Sequence, residues 1–166
     1  MLYLKLDASG RQELLAELEA MPAFLEDTFA ELSLEQVTLM GPGGVLSPVE
    51  QVWHLADLER EGFGARIDRL LRELDPNLPD FDGAALAAAR NYRGLSLTAG
   101  LQAFKSARLD NLQKLRGIAD NAWDRSGTQE GVGRVSLCEI PSMIRQHDAA
   151  HKQEIAHWHQ SAGTVV

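Results

Sequence analysis

The segment His147-Asp148-Ala149-Ala150-His151 sets two imidazoles four residues apart. A helix turns about 100° per residue, so positions i and i+4 differ by roughly 40° around its axis and both rings can reach one cation. Two ligands rarely hold a transition metal alone. His54, far earlier in the chain and inside another helical pattern, is the candidate third ligand. Three neutral imidazoles leave coordination positions open, which describes a reactive centre rather than a structural one; on ligand type Zn²⁺, Ni²⁺, Mn²⁺ and Fe²⁺ are all admissible. The competing reading of each histidine is a hydrogen-bonded core residue. Three buried imidazoles without evident acidic partners are costly to hide, however, and a shared cation gives all three lone pairs something to bind. A zincin reading fails, because those proteases use glutamate directly after the first histidine and Asp148 is one methylene shorter.

Helices must position these rings. Leu14, Leu18, Met21, Leu25, Phe29 and Leu32 recur at spacings of three and four, predicting an amphipathic helix over about 9–32, with Pro22 imposing a kink or short break beside Met21. Ser47-Pro48-Val49-Glu50 reads as N-cap, N1 proline and capping-box glutamate, so a second helix starts at Pro48 and runs to about Leu74. Leu58, Gly62 and Ala65 then share the face of His54. The small residues there mean either close helix packing at Gly62 or room for a ligand above the metal.

Asp75 to Gly83 reads as an exposed connection, followed by a short alanine-rich turn over 84–91. Ser96 caps a third helix over 97–118, with Leu101, Phe104, Leu112 and Leu115 as its apolar stripe. The glycine-rich run from Ser126 to Gly133 reads as a long loop, with or without a small hairpin, and its spacing matches neither a P-loop nor a dinucleotide fingerprint. Ser136-Leu137-Cys138-Glu139 is a second capping box, opening a fourth helix to about Gln160 whose first turn Pro141 is expected to distort. Ile140, Ile144, His147, His151, Ile155 and Trp158 form one stripe, so the histidines face inward. Leu2, Leu4 and Leu6 alternate as a strand would, without a partner strand. The expected architecture is all-α: one four-helix-bundle domain over 1–166 with a long loop before the last helix.

Composition narrows the function. A chain of 166 residues buries a core without staples, and a net charge of -8 argues against a nucleic-acid partner, which needs clustered Lys and Arg. The single cysteine, Cys138, forms no internal disulfide, and the N-terminal stretch lacks the features of a signal peptide. No apolar run approaches the roughly 20 residues that span a bilayer. A cytoplasmic, soluble protein with no membrane partner is expected.

Other candidates are weighed residue by residue. Asp57, three residues beyond His54, either orients a ligand imidazole and takes a proton or is a solvated surface carboxylate. Asp148 lies roughly 100° off the histidine face and meets solvent or a neighbouring helix. Arg108 meets an anionic substrate or joins an ion pair. His157 and His159 fall off the metal stripe and read as surface residues, Cys138 as a small buried hydrophobe, and Trp53, Trp123 and Trp158 as packing residues.

Three stretches carry a family resemblance: Ser47-Pro48-Val49-Glu50-Gln51-Val52-Trp53-His54-Leu55-Ala56-Asp57, Trp123-Asp124-Arg125-Ser126-Gly127-Thr128, and His147-Asp148-Ala149-Ala150-His151-Lys152-Gln153-Glu154-Ile155. In this order and spacing the chain resembles the DinB-like (DinB/YfiT) superfamily, in particular its second subgroup, over nearly its whole length. The resemblance implies a four-helix bundle, a divalent metal on His54, His147 and His151, and frequently a homodimer. Relatives include bacillithiol transferases and mycothiol-dependent maleylpyruvate isomerases, and a similar domain occurs in ergothioneine-synthesising enzymes. Two functional classes follow. In one, a metal-dependent enzyme transfers a low-molecular-weight thiol or hydrolyses a small-molecule substrate by a metal-activated nucleophile. In the other, the same bundle is a non-catalytic metal-binding, stress-response or interaction protein; an open pocket beside the ion favours the enzyme and a sealed one the binding protein.

Overall fold

The computed structural model of the chain describes residues 4–78 and 80–162. Asp7 accepts the Gly10 amide at 2.8 Å and starts α1 (Ala8–Leu18); α2 (Met21–Phe29) follows after Glu19 and Ala20. Pro22 explains the break beside Met21. In a continuous helix the Leu18 carbonyl accepts from the amide of residue 22, and proline has no amide hydrogen. That carbonyl is taken instead by Arg108 Nη1, at 2.9 Å, reaching from another helix.

After the short α3 (Leu34–Val37), α4 (Pro48–Asp57) starts where its capping signal puts it, with the Ser47 amide and hydroxyl donating to Glu50 Oε2 at 3.0 and 2.5 Å. The helical path continues through a π-helical segment (Leu58–Gly64) into α5 (Ala65–Arg72). This segment corrects the expected face. A π turn takes an extra residue, so beyond Leu58 the face of His54 is continued by Phe63 and Arg66 rather than by Gly62 and Ala65. Nor does Gly62 leave a void: the Leu58 side chain occupies the place of its missing Cβ, and Phe81 lies 3.6 Å from it. Asn111 supports the irregular turn by donating Nδ2 to the Glu59 carbonyl at 2.7 Å.

Beyond α5, the connection holds β1 (Asn77–Leu78), and α6 (Gly83–Arg90) begins where Asp82 Oδ1 accepts the Ala85 amide at 2.9 Å. Ser96 Oγ accepts the Ala99 amide at 3.2 Å and caps α7 (Leu97–Arg116). The glycine-rich run is a hairpin of β2 (Ser126–Gln129) and β3 (Gly133–Ser136), turning through Gly131 and Gly133 at φ 73° and 104°. β1 joins β2 in parallel, with Asn77 opposite Thr128, so the hairpin that the glycine-rich run left open is present and is extended to a small three-stranded sheet beside the helices. The last helix, α8 (Ile140–Ala162), starts three residues later than its capping box suggested. Ser136 donates its amide and hydroxyl to Glu139 Oε2 at 2.8 and 2.6 Å across the preceding turn, and Pro141 sits in the first turn of α8, where its missing amide hydrogen is not needed. Leu4 and Leu6 form no strand: their carbonyls accept from Ser142 Oγ and Arg11 Nη1, both at 2.9 Å, while Leu2 lies outside the described residues.

The spans α1–α2, α4–α5, α7 and α8 are the four members of a four-helix bundle. Its core has two apolar clusters. One gathers Leu15, Ile67, Leu112 and Ile144; the other gathers Leu25, Val52, Phe104 and Ile155. On α7 and α8 the polar residues Arg108 with Asn111, and His147, Asp148 and His151, lie between the two clusters, and the buried Glu59 of the π-helical segment pairs with Arg108. Among the described residues no helix is long and apolar enough to cross a membrane.

Candidate metal centre

His54 on α4 and His147 and His151 on α8 come together in this polar layer, and each offers one ligand nitrogen within 4.8 Å of the others. Ring centroids are 5.6 Å apart for His54 and His147, 5.0 Å for His54 and His151, and 4.4 Å for His147 and His151. The two α8 rings face each other through Nε2 atoms 3.2 Å apart. Two nitrogens bound at about 2.1 Å to one tetrahedral ion stand roughly 3.4 Å apart, so the pair is already near ligand spacing.

A chain of hydrogen bonds sets the tautomer of His151. Gln51 Nε2 donates to Glu154 Oε2 at 2.9 Å, which turns Gln51 Oε1 toward His151 Nδ1. An amide oxygen only accepts, so His151 carries its proton on Nδ1 and presents the Nε2 lone pair toward His147. Burial lowers all three histidines. His54 falls to about 4 through burial and then the charge of His151; His147 falls to about 3 through burial and then its two histidine neighbours; His151 is lowered by burial against the pull of Glu154 and Asp148. All three are neutral near pH 7, the form that binds metal.

Asp57 lies elsewhere. It is fully buried, accepting from Tyr92 Oη and Arg90 Nη1 at 2.5 Å and Arg60 Nη2 at 2.8 Å, and so joins the segment after α6 to α4. Burial and then the bond to Asp57 raise the Tyr92 phenol. The imidazole partner is Gln51, whose signal in the sequence was its place three residues before His54. Gly83 was missed too. A Cβ there would come within 2.6 Å of His54 Cε1 and 2.8 Å of Nδ1, so only glycine lets α6 back onto the ring. Arg108 and Asp148 are ion-pair partners: Arg108 Nη1 and Nη2 meet the Asp148 carboxylate at 2.8 and 2.9 Å, and Nη2 meets Glu59 at 3.0 Å. His157 and His159 are exposed, and Cys138 is buried with Sγ 3.5 Å from the Leu6 carbonyl.

Two cavities flank the histidines, with His54 in the wall of both. One, of about 390 Å³, has Leu58, Phe63, Phe81 and Met143 as apolar wall and His147, Arg66, Gln129 and Gln146 as polar lining. The other, of about 500 Å³, is bounded by His151, Glu154, Val45, Leu46 and Ala87.

The profile of the DinB superfamily matches residues 17–155. The chain belongs to the DinB superfamily. Among solved structures, YfiT from Bacillus subtilis, described as a probable metal-dependent hydrolase with an unusual four-helix bundle topology, superposes with a TM-score of 0.86 at 18% identity, covering 99% of this chain and 92% of its own. A mycothiol-dependent maleylpyruvate isomerase superposes with a TM-score of 0.71 at 10% identity, covering 87% of this chain and 60% of its own. At these identities the likeness concerns the fold. No curated protein sequence matches this chain.

Proposed function

We propose that this DinB superfamily member is a metal-dependent enzyme acting on small molecules, with His54, His147 and His151 holding a divalent ion. The observation that carries the reading is the convergence of three neutral imidazoles, one with its tautomer set by Gln51, between two cavities of substrate size. When bound, the ion supplies Lewis acidity, which makes a nucleophile of water or a thiol near neutral pH. The chain's own residues do the rest. Gln51 and Glu154 orient His151, Gly83 lets His54 seat, and Phe63, Phe81 and Met143 keep the reacting face apolar.

Transfer of a low-molecular-weight thiol and hydrolysis of a small substrate both fit; of the two structural neighbours, one is described as a probable metal-dependent hydrolase and the other as a mycothiol-dependent isomerase. The donor set admits Zn²⁺, Ni²⁺, Mn²⁺ and Fe²⁺. The competing reading, a non-catalytic metal-binding protein, predicts a sealed site, and the cavities beside the rings favour the enzyme. The proposal extends to a homodimer in a reducing cytoplasm; sedimentation at micromolar concentration should give twice 18.2 kDa, and a monomer mass refutes the dimer.

The test is metal content. His147→Ala and His151→Ala should each bind metal far more weakly than the parent chain while keeping its helical circular dichroism. Equal stoichiometry in all three proteins overturns the assignment. Adding thiols to the Co²⁺-loaded protein separates the two chemistries: a sulfur-to-metal charge-transfer band in the near ultraviolet supports thiol transfer, and its absence leaves hydrolysis.

A further inference from the structure

One segment contributes to the walls of both cavities. Leu78 and Tyr92 are each 1% exposed, and none of the described residues between them is buried. In this stretch Phe81 lines the cavity beside His147 and meets the His54 ring edge-on, with centroids 6.0 Å apart. Gly83 lies against the same ring, and Ala84 and Ala87 line the cavity beside His151. A helix keeps its place in a bundle by burying an apolar face, whereas α6, eight residues long, buries none of its residues. Its charged attachment is at the C-terminal end, where Arg90 Nη1 meets Asp57 at 2.5 Å and Glu61 at 2.9 Å, one on α4 and the other on the π-helical segment. Asp57 is buried and also accepts from Tyr92 Oη, while the Arg90 side chain is 36% exposed.

We infer that residues 80–90 form a strap that lifts and closes over the metal centre, anchored at Leu78 and Tyr92 and latched by the ion pairs of Arg90 with Asp57 and Glu61. Because no α6 residue is buried, lifting the helix gives up little apolar burial, and the latch governs how often the strap opens. Opening withdraws Phe81 and Gly83 from the His54 ring and opens both cavities to ligands from solvent. The buried bond between Tyr92 and Asp57 stays closed and returns the strap to its place. The inference rests on the metal-centre reading for what the strap admits, whereas the motion itself belongs to the segment.

Arg90→Gln tests it, since Asp57 keeps Tyr92 and Arg60 as partners and the variant should fold. In the metal-free protein, the amides of Leu86 to Arg90 should exchange hydrogen about tenfold faster than in the parent chain, with α4 and α8 unchanged. Diethyl pyrocarbonate should modify His54 about tenfold faster as well, as mapped by mass spectrometry, while the exposed His157 and His159 react at their former rates and serve as controls. Faster amide exchange without faster modification of His54 means that α6 frays in place, and it overturns the strap; so do unchanged rates in both measurements. With Co²⁺, loading and removal by a chelator should both accelerate about tenfold and leave Kd within about twofold, because a gate changes passage in both directions equally. A weaker Kd with an unchanged loading rate makes Arg90 a structural support of the site and also overturns the strap. Failure of the parent chain to bind Co²⁺ overturns the metal centre instead, and the metal-free measurements then decide the strap on their own.

Discussion

In the proposed metal centre, affinity should depend on residues that never touch the ion. Gln51 fixes the His151 tautomer through its bonds to Glu154 and His151 Nδ1, so Gln51→Leu should weaken metal binding by roughly 10- to 100-fold with little change in helicity. A competition titration against a chelating dye measures this, and unchanged affinity removes Gln51 from the site. Gly83→Ala should act on the other side by pushing a methyl group into the His54 ring, and a loss of affinity confined to His54 should leave the His147 and His151 resonances in place. The histidines also set a pH window. His54 titrates near 6.5 when unfolded and about 4 when folded, so between those values the unfolded chain binds the proton that the folded chain refuses. Stability of the metal-free protein should therefore be flat above pH 6.5 and fall as the pH drops toward 4. Urea melts at pH 7, 6 and 5 check it, and a constant midpoint contradicts it.

At the level of the helices, a polar layer divides the apolar core, and Arg108 is its centre. It neutralises Glu59 on the π-helical segment and Asp148 on α8, and it caps the Leu18 carbonyl that Pro22 leaves open. Removing one member of a buried ion cluster strands the others without compensation. Arg108→Ala should accordingly cost about 3–5 kcal/mol, as measured by chemical denaturation. A loss under about 1 kcal/mol, typical of exposed pairs, indicates that water replaces the guanidinium. The same cluster fixes the rotation of α8, because Asp148 and His147 are adjacent and face different partners.

For the whole molecule, the proposed ligands lie on α4 and α8, so a bound ion would link the second and the last members of the bundle. Binding to the folded state alone stabilises it by about 4 kcal/mol at a thousandfold excess over Kd, which raises Tm by roughly 10 °C for a chain of this size. Calorimetry with and without a chelator should show that difference. An unchanged Tm means that the imidazoles hold no ion under those conditions.

The four helical spans, the break at Pro22 and the N-terminal signals at Ser47 and Ser96 were legible in the sequence because each depends on neighbours within a few residues. The histidine spacing on α8 was legible for the same reason: four residues in a helix make one face. Asp57, read equally by spacing, faces Tyr92 and Arg90 because those residues pack onto α4 from a segment whose position no local pattern encodes. The π-helical turn is the clearest case. Its extra residue is supported by Asn111 from α7, a contact 52 residues away in sequence, and it exchanges Gly62 and Ala65 for Phe63 and Arg66 on the face of His54. The sequence by itself determined the bundle and the α8 imidazole pair, through short-range periodicity and capping. Tertiary packing alone decided which side chains surround those imidazoles, because helix register, ring tautomer and cavity wall are set by contacts between segments far apart in the chain.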